Sequence, residues 1–243
     1  NANQLRFEQQ SKNELIFRTL GRTGIKIPVV SMGVMNANNP NLIKAAYNAG
    51  IRHFDTAWVY QGGNNEKMIG NVLQEMAVNR HEVVIATKVL LDRSAQQLND
   101  GNERKRSFLN RFSESLQRLQ TDYIDILYYH DAWNKEQIID PYIKEAFLQL
   151  KSDGKIKATG FSSHVYWPEI VYAAADDGFY DVMLLSFNYA MNNDNRSVEA
   201  LKYAASKGTG LIAMKTQCQQ AWYRQNVPAE AQAYYEGKIM HGA

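Results

Sequence analysis

Short apolar runs alternate with amphipathic helical windows along this chain at a spacing of about thirty residues, and that alternation limits the fold more than any other feature. Strands are read at 29–34, 51–55, 83–88, 123–130, 156–162, 181–188 and 210–215. Helices are read near 40–50, 66–76, 105–119, 143–150, 167–178 and 198–205. Asn39-Pro40 opens the first helix with proline at its first position, Leu42, Ile43, Ala46 and Tyr47 share one face, and Gly50 closes it. In the second, Met68, Ile69, Val72, Leu73 and Met76 fall on one side. Repeated βα units imply a parallel sheet with helices outside it, and seven or eight of them in one domain point to a (β/α)8 TIM barrel. A doubly wound sheet is the competing architecture. It would want a Gly-x-Gly-x-x-Gly turn after the first strand, which Met32-Gly33-Val34-Met35-Asn36 does not supply. Ahead of the repeat, Leu15–Arg18 and Ile25–Pro28 flank Gly21-Arg22-Thr23-Gly24 and read as a β-hairpin, after a polar extension over residues 1–13. No change of composition marks a second domain, so residues 1–243 are read as one.

Composition narrows the class of partners. The net charge of +2, with both signs interspersed, gives no reason to expect nucleic acid or an acidic membrane surface. No apolar run approaches the roughly eighteen residues of a membrane span. The single cysteine, Cys218, excludes an internal disulfide framework and suits a reducing compartment. A cytoplasmic monomer acting on a small molecule is the expectation. The chain begins at Asn1, so a cleaved export signal upstream stays open.

Chemistry concentrates at strand ends. The strand that begins at Ile51 delivers Asp55, Thr56, Trp58 and Tyr60 within six residues of its last apolar position, Phe54. The next strand runs into Lys88 and the one after it into His130. Singly, each has an ordinary structural reading. On three consecutive parallel strands they converge at the carboxyl mouth of the barrel, where barrel enzymes place their sites. Tyrosine has an unperturbed pKa near 10, too high for easy proton exchange at neutral pH. An adjacent ammonium favours the phenolate, a carboxylate beyond it orients the lysine, and an imidazole opposite can fix a substrate oxygen. Such a set gives a proton to a developing alkoxide or takes one from an alcohol. The sequence lacks a Ser or Cys nucleophile beside a histidine base, a zinc-spaced Cys/His cluster, and carboxylates paired for glycoside cleavage. Carbonyl reduction also needs hydride, which no side chain provides, so a nicotinamide cofactor is implied.

Gly50-Ile51-Arg52-His53-Phe54-Asp55-Thr56-Ala57, followed by Tyr60, Gly63, Asn65-Glu66 and Ile69-Gly70, resembles the signature of the aldo-keto reductase superfamily. The resemblance runs from about Leu15 to Ala243 and includes a hairpin that plugs the barrel floor. It implies Tyr60 as general acid, Lys88 and Asp55 as its tuning pair, and His130 as the group that orients the carbonyl. It also implies NADPH, with NADH possible, and a small-molecule carbonyl substrate. For the cofactor, Gly160-Phe161-Ser162-Ser163 matches the strand that holds the nicotinamide carboxamide, with Ser163 in place of the family's Asn. Phe187-Asn188 resembles the Tyr-Asn after the sixth strand, with Leu184 where a Gln is usual. Met214 takes the place of the aromatic that stacks on the nicotinamide. Gly33, Asp55 and Lys215 complete the implied contacts, and Trp58 and Trp133 fall where the family builds its substrate pocket. No metal site is implied. Two other functions compete: a relative that uses the cofactor as a regulatory sensor, and a metal-dependent barrel hydrolase. Family members continue past the seventh strand to an eighth strand and a phosphate-binding helix, whereas Lys238–Ala243 reads as a helix opening. The expectation is a barrel truncated after its seventh strand, or a chain with further residues. In the first case Tyr223 and Arg224 are candidates for a substitute phosphate clamp.

Overall fold

The computed structural model describes residues 15–91, 100–164, 167–188, 191 and 194–216. The N-terminal extension, Cys218, Tyr223, Arg224 and the segment 238–243 lie outside the described residues. A hairpin of β1 (Phe17–Thr19) and β2 (Lys26–Pro28) pairs antiparallel, with Phe17 opposite Pro28. Then follow β3 (Met32–Gly33), α1 (Pro40–Asn48), β4 (His53–Asp55), α2 (Asn64–Glu75), β5 (Val84–Val89) and α3 (Gly101–Leu119). Beyond these come β6 (Ile124–Tyr129), α4 (Lys135–Ile139), α5 (Pro141–Ser152) and β7 (Ile156–Ser163). The last are α6 (Trp167–Asp177), β8 (Val182–Ser186), α7 (Asn195–Ser206) and β9 (Gly210–Met214). Strands β3 to β9 form one seven-stranded parallel sheet in sequence order, the arrangement of a (β/α)8 barrel without an eighth strand among the described residues.

Three helix starts lie earlier than apolar periodicity places them, because an aspartate caps each of the three. Asp100 accepts from the amide of Asn102, so α3 begins at Gly101 rather than near 105. Asp140 accepts from Tyr142 with Pro141 at the first helical position, so α5 begins at 141 rather than 143. Asp194 does the same for α7. The five-residue α4 is absent from the sequence reading. It is nucleated by a capping box in which the Asn134 side chain receives the Gln137 amide and Gln137 reaches back. The first barrel strand shrinks to Met32–Gly33, leaving Val29 and Val30 exposed.

Strand side chains alternate, and the alternation builds two separate cores. Outward positions such as Phe54, Ile85, Leu127, Phe161, Met183 and Leu185 pack against the helices in the larger cluster. Inward positions Ala86, Ile126, Tyr128, Ala158, Val182 and Leu184 pack inside the barrel with Leu20 and Ile27 of the hairpin segment. The hairpin therefore plugs the floor. The Arg22 amide donates to the Gly208 carbonyl at 2.8 Å, and a Cβ built on Gly210 would lie 2.6 Å from Leu20 Cγ. Near the floor Asp125 is 2% exposed yet satisfied, accepting from Arg80, Lys157 and the Ile85 amide at 2.7, 2.7 and 2.9 Å. Among the described residues no helix is long and apolar enough to cross a membrane.

Gly160 is an inward position with no room for a side chain. A Cβ there would sit 2.6 Å from the Tyr128 ring and 2.7 Å from the Val182 carbonyl. Gly160→Ala is expected to cost about 1–3 kcal/mol of stability by overpacking, read from the midpoint of urea unfolding. An unchanged midpoint would mean that Tyr128 moves aside at no cost.

Candidate active site

The inward register carries polar side chains above the apolar floor. Asp55 ends β4, Lys88 lies near the end of β5, His130 follows β6, and Ser162 and Ser186 lie near the ends of β7 and β8. The loops leave the strands under backbone control. Thr56 donates to the Ala86 carbonyl, Trp58 to that of Lys88 and His130 to that of Val89, each at 2.9 Å. Tyr60 then opens a short 3-10 turn, Tyr60–Gly63, that leads into α2.

Lys88 is 1% exposed, and its ammonium pairs with Asp55 Oδ1 and donates to the Thr56 carbonyl at 2.6 Å. Burial alone would lower its pKa, but the Asp55 and Tyr60 charges offset that and hold it above the ordinary lysine value. Lys88 Nζ lies 5.1 Å from the centre of the Tyr60 ring, and the His130 ring meets Tyr60 edge-on at 5.8 Å. Burial raises the Tyr60 pKa above 10, while the charge and hydrogen bonding of Lys88 pull it back, so the phenol is protonated at neutral pH. His130 is held well below the ordinary histidine value by burial, then by Lys88 and His164, so it is neutral there. The four residues that the sequence placed at one mouth are thus brought together.

The implied cofactor contacts fall around the same mouth. Ser162 and Ser163 are fully buried at the end of β7, and Asn188 is 3% exposed just beyond β8. Met214 pairs in register with Ser186, and Lys215 follows in the left-handed region at φ 57°. The position a Cβ would take at Gly33 is open. Asp55 Oδ2, Tyr128 Oη and His130 Nδ1 are buried with no hydrogen-bond partner among the described residues. Polar atoms left unpaired at such a mouth fit a polar, hydrogen-bonding group such as a nicotinamide carboxamide with its substrate. Tyr223 and Arg224, the candidates for a substitute phosphate clamp, lie outside the described residues. The two tryptophans diverge. Trp133 is 56% exposed on the rim, whereas the Trp58 indole turns toward α3 and donates to Glu114 at 2.8 Å.

Two residues at the mouth escape sequence reasoning. His164 follows Ser163 and lies 3.8 Å from the carboxylate of Asp131, and Asp131, next to His130, takes a φ of 60°. The Asp131 amide donates to Ser162 Oγ at 3.0 Å, which ties the ends of β6 and β7. Their adjacency in sequence to His130 and Ser163 is the signal that could have flagged them. Among the described residues no group of three or more His, Cys, Asp or Glu could hold a metal ion.

A parallel seven-stranded sheet wrapped by helices, with polar side chains gathered at its carboxyl mouth, defines a protein of the βα-barrel class. More narrowly, the chain belongs to the aldo/keto reductase family, whose sequence model matches residues 32–232. It is 33% identical over 211 residues to L-galactose dehydrogenase of Arabidopsis thaliana, an overlap of 81% of this chain and 63% of that one. It is 26% identical over 251 residues to D-threo-aldose 1-dehydrogenase of a Pseudomonas species, covering 90% of this chain and 73% of the relative. Among solved structures, an aldo-keto reductase from Bacillus halodurans superposes with a TM-score of 0.66 at 24% identity, over 82% of this chain and 65% of that one. The chain therefore spans less than two thirds of the length of the plant relative.

Two buried histidines make stability depend on pH. His53 is fully buried with neither ring nitrogen partnered among the described residues, and burial lowers its pKa, as it lowers that of His130. Between the folded values and the ordinary one, the unfolded chain binds more protons than the folded chain. The stability contributed is therefore complete above the ordinary histidine pKa and is lost as pH falls below it. Each group steepens the loss by up to about 1.4 kcal/mol per pH unit between about pH 6.5 and its folded value. Tm is expected to decline from about pH 7 to about pH 5, and His53→Leu to flatten that decline. A variant whose decline parallels the parent's would rule out the His53 contribution.

Proposed function

We propose that the protein is an NADPH-dependent reductase of small-molecule aldehydes or ketones, with NADH as the second candidate reductant and residues 1–243 forming one catalytic domain. The observation that carries this reading is the placement of Tyr60 against a buried Lys88–Asp55 pair, with neutral His130 opposite. Membership of the aldo/keto reductase family and similarity to two named sugar dehydrogenases support it. When bound, the cofactor supplies hydride to the carbonyl carbon. The residues of this chain handle the oxygen. Tyr60 donates its phenolic proton to the oxygen as negative charge develops there. Lys88 lowers the cost of leaving a phenolate behind, and Asp55 keeps the lysine charged and fixed. His130, neutral at working pH, donates a hydrogen bond that sets the carbonyl's angle. In the reverse direction the same groups take a proton from an alcohol.

Ser162, Ser163 and Asn188 are proposed to hold the carboxamide, Met214 to back the ring through a soft contact, and Gly33, Asp55 and Lys215 to line the rest of the cofactor site. Trp133 is proposed to rim the substrate pocket, whereas the Trp58 indole is directed to α3 instead.

Loss of NADPH absorbance with a panel of aldehydes and ketones tests the reading, and Tyr60→Phe tests the donor. The phenylalanine keeps the ring and removes the hydroxyl, so reduction is expected to fall by at least ~10² with little change in cofactor affinity. Near-full turnover in that variant would end the mechanism. Lys88→Met removes the charge that pulls the Tyr60 pKa down, so the pH profile of residual alcohol oxidation is expected to move upward. A profile identical to the parent's would assign Lys88 to structure alone.

A further inference from the structure

We propose that Arg118, on the outer helix α3, is a positioning residue for the turn that carries Tyr60, acting through Trp58 and Glu66; the proposal rests on Tyr60 being the proton donor. The contacts converge on that turn from behind the barrel wall. Arg118 Nη1 donates to the main-chain carbonyl of Trp58 at 2.9 Å, two residues before Tyr60. The same nitrogen lies 3.4 Å from Glu66 Oε2, and Nη2 donates to Glu114 at 3.0 Å. Glu114 in turn accepts the Trp58 indole N–H at 2.8 Å, and the Arg111 guanidinium lies 4.4 Å from the indole ring centre. Both the main chain and the side chain of Trp58 are therefore held by α3.

Glu66 carries the same brace to the second catalytic strand. It is fully buried, and its Oε1 accepts from Thr87 Oγ1 at 2.6 Å, one residue before Lys88. One guanidinium–carboxylate pair thus ties the chain on either side of the proposed proton transfer. The turn itself needs outside support. Gln61 sits at φ 52°, a region uncommon for residues other than glycine, and its side-chain Nε2 donates to the carbonyls of Met35 and Ala37 at 3.2 and 3.0 Å. At Gly63, φ is 86°, and a Cβ would fall 2.4 Å from Arg118 Cζ. The turn closes directly onto the guanidinium, so the absence of a side chain at Gly63 is what admits it. A planar fork with several donors meets three acceptors here, which a lysine's single ammonium would not match.

The test uses Arg118→Ala, Arg118→Lys and Glu66→Gln in the full chain, with circular dichroism to establish folding. Two readouts are taken. Amide hydrogen exchange of the segment 58–63 is expected to speed up by about tenfold in Arg118→Ala without any ligand, since the contacts holding it are gone. In turnover, kcat is expected to fall by about tenfold with KM little changed, and to recover in part with millimolar guanidinium ion as free replacement. Arg118→Lys is expected to recover less, and Glu66→Gln to show the same pattern in smaller degree should the alanine variant fail to fold. Unchanged exchange overturns the brace. Faster exchange with unchanged kcat, or loss of kcat that guanidinium does not restore, overturns the positioning role and leaves a stabilising ion pair. A parent protein that turns over no carbonyl removes the functional reading beneath the proposal, and exchange still decides whether Arg118 holds the turn.

Discussion

A charged ammonium inside a barrel is the constraint on which the rest of this structure turns. Lys88 has almost no contact with solvent, and an isolated ion so placed would lose its proton or unfold its surroundings. Asp55 and the Thr56 carbonyl make it tenable, and removing one member of such a pair costs about 3–5 kcal/mol. That requirement fixes more than two side chains. It demands that β4 and β5 stand side by side with Asp55 opposite Ala86, which brings the loop after Asp55 over Lys88 and so delivers Tyr60. Placement of the proposed proton donor and satisfaction of the buried charge are the same geometric condition.

Much of this was legible before any coordinates. Asp55, Lys88 and His130 ended apolar runs, where a charge or imidazole has no packing value, and consecutive parallel strands put them at one mouth. The (β/α)8 architecture followed from the βα alternation and the hairpin from two apolar runs about a Gly-bounded turn, while the hairpin's place at the barrel floor came from the family resemblance. The starts of α1 at Pro40 and α6 at Trp167 fall where they were read, but three others do not, because apolar periodicity reports the buried face of a helix and is silent about its first turn. Asp100, Asp140 and Asp194 begin their helices in turns that carry little apolar signal. The short α4 depends on a reciprocal Asn134–Gln137 cap rather than on an apolar stripe.

The parts of the site that stayed hidden share a cause. Arg118 and Glu66 are 52 positions apart in sequence, and Arg22 and Asp181 on the floor are 159 apart, so neither pair has a local signature. Trp58 resembles a pocket aromatic because its neighbours are the proposed catalytic residues, but a side chain's direction depends on which helix it meets, and here it meets α3. His164 lies beside Asp131 only because the ends of β6 and β7 are joined through Ser162. Sequence shows which side chains leave a strand at its end; the loop beyond decides where they go.

The two cores of the barrel also bear on how this lineage can tolerate changes of length. Because inward and outward positions alternate residue by residue, losing or gaining one residue within β5 would exchange Lys88 for Thr87 or Val89 at the mouth and turn apolar wall residues toward the lumen. Length variation is therefore excluded from the strands far more strictly than substitution is. A change of two residues within β5 would preserve facing but shift Lys88 along its strand by about 6.6 Å. Indels are left to the connecting segments, and divergence among such proteins is expected to accumulate in the loops above a wall of nearly invariant strand length.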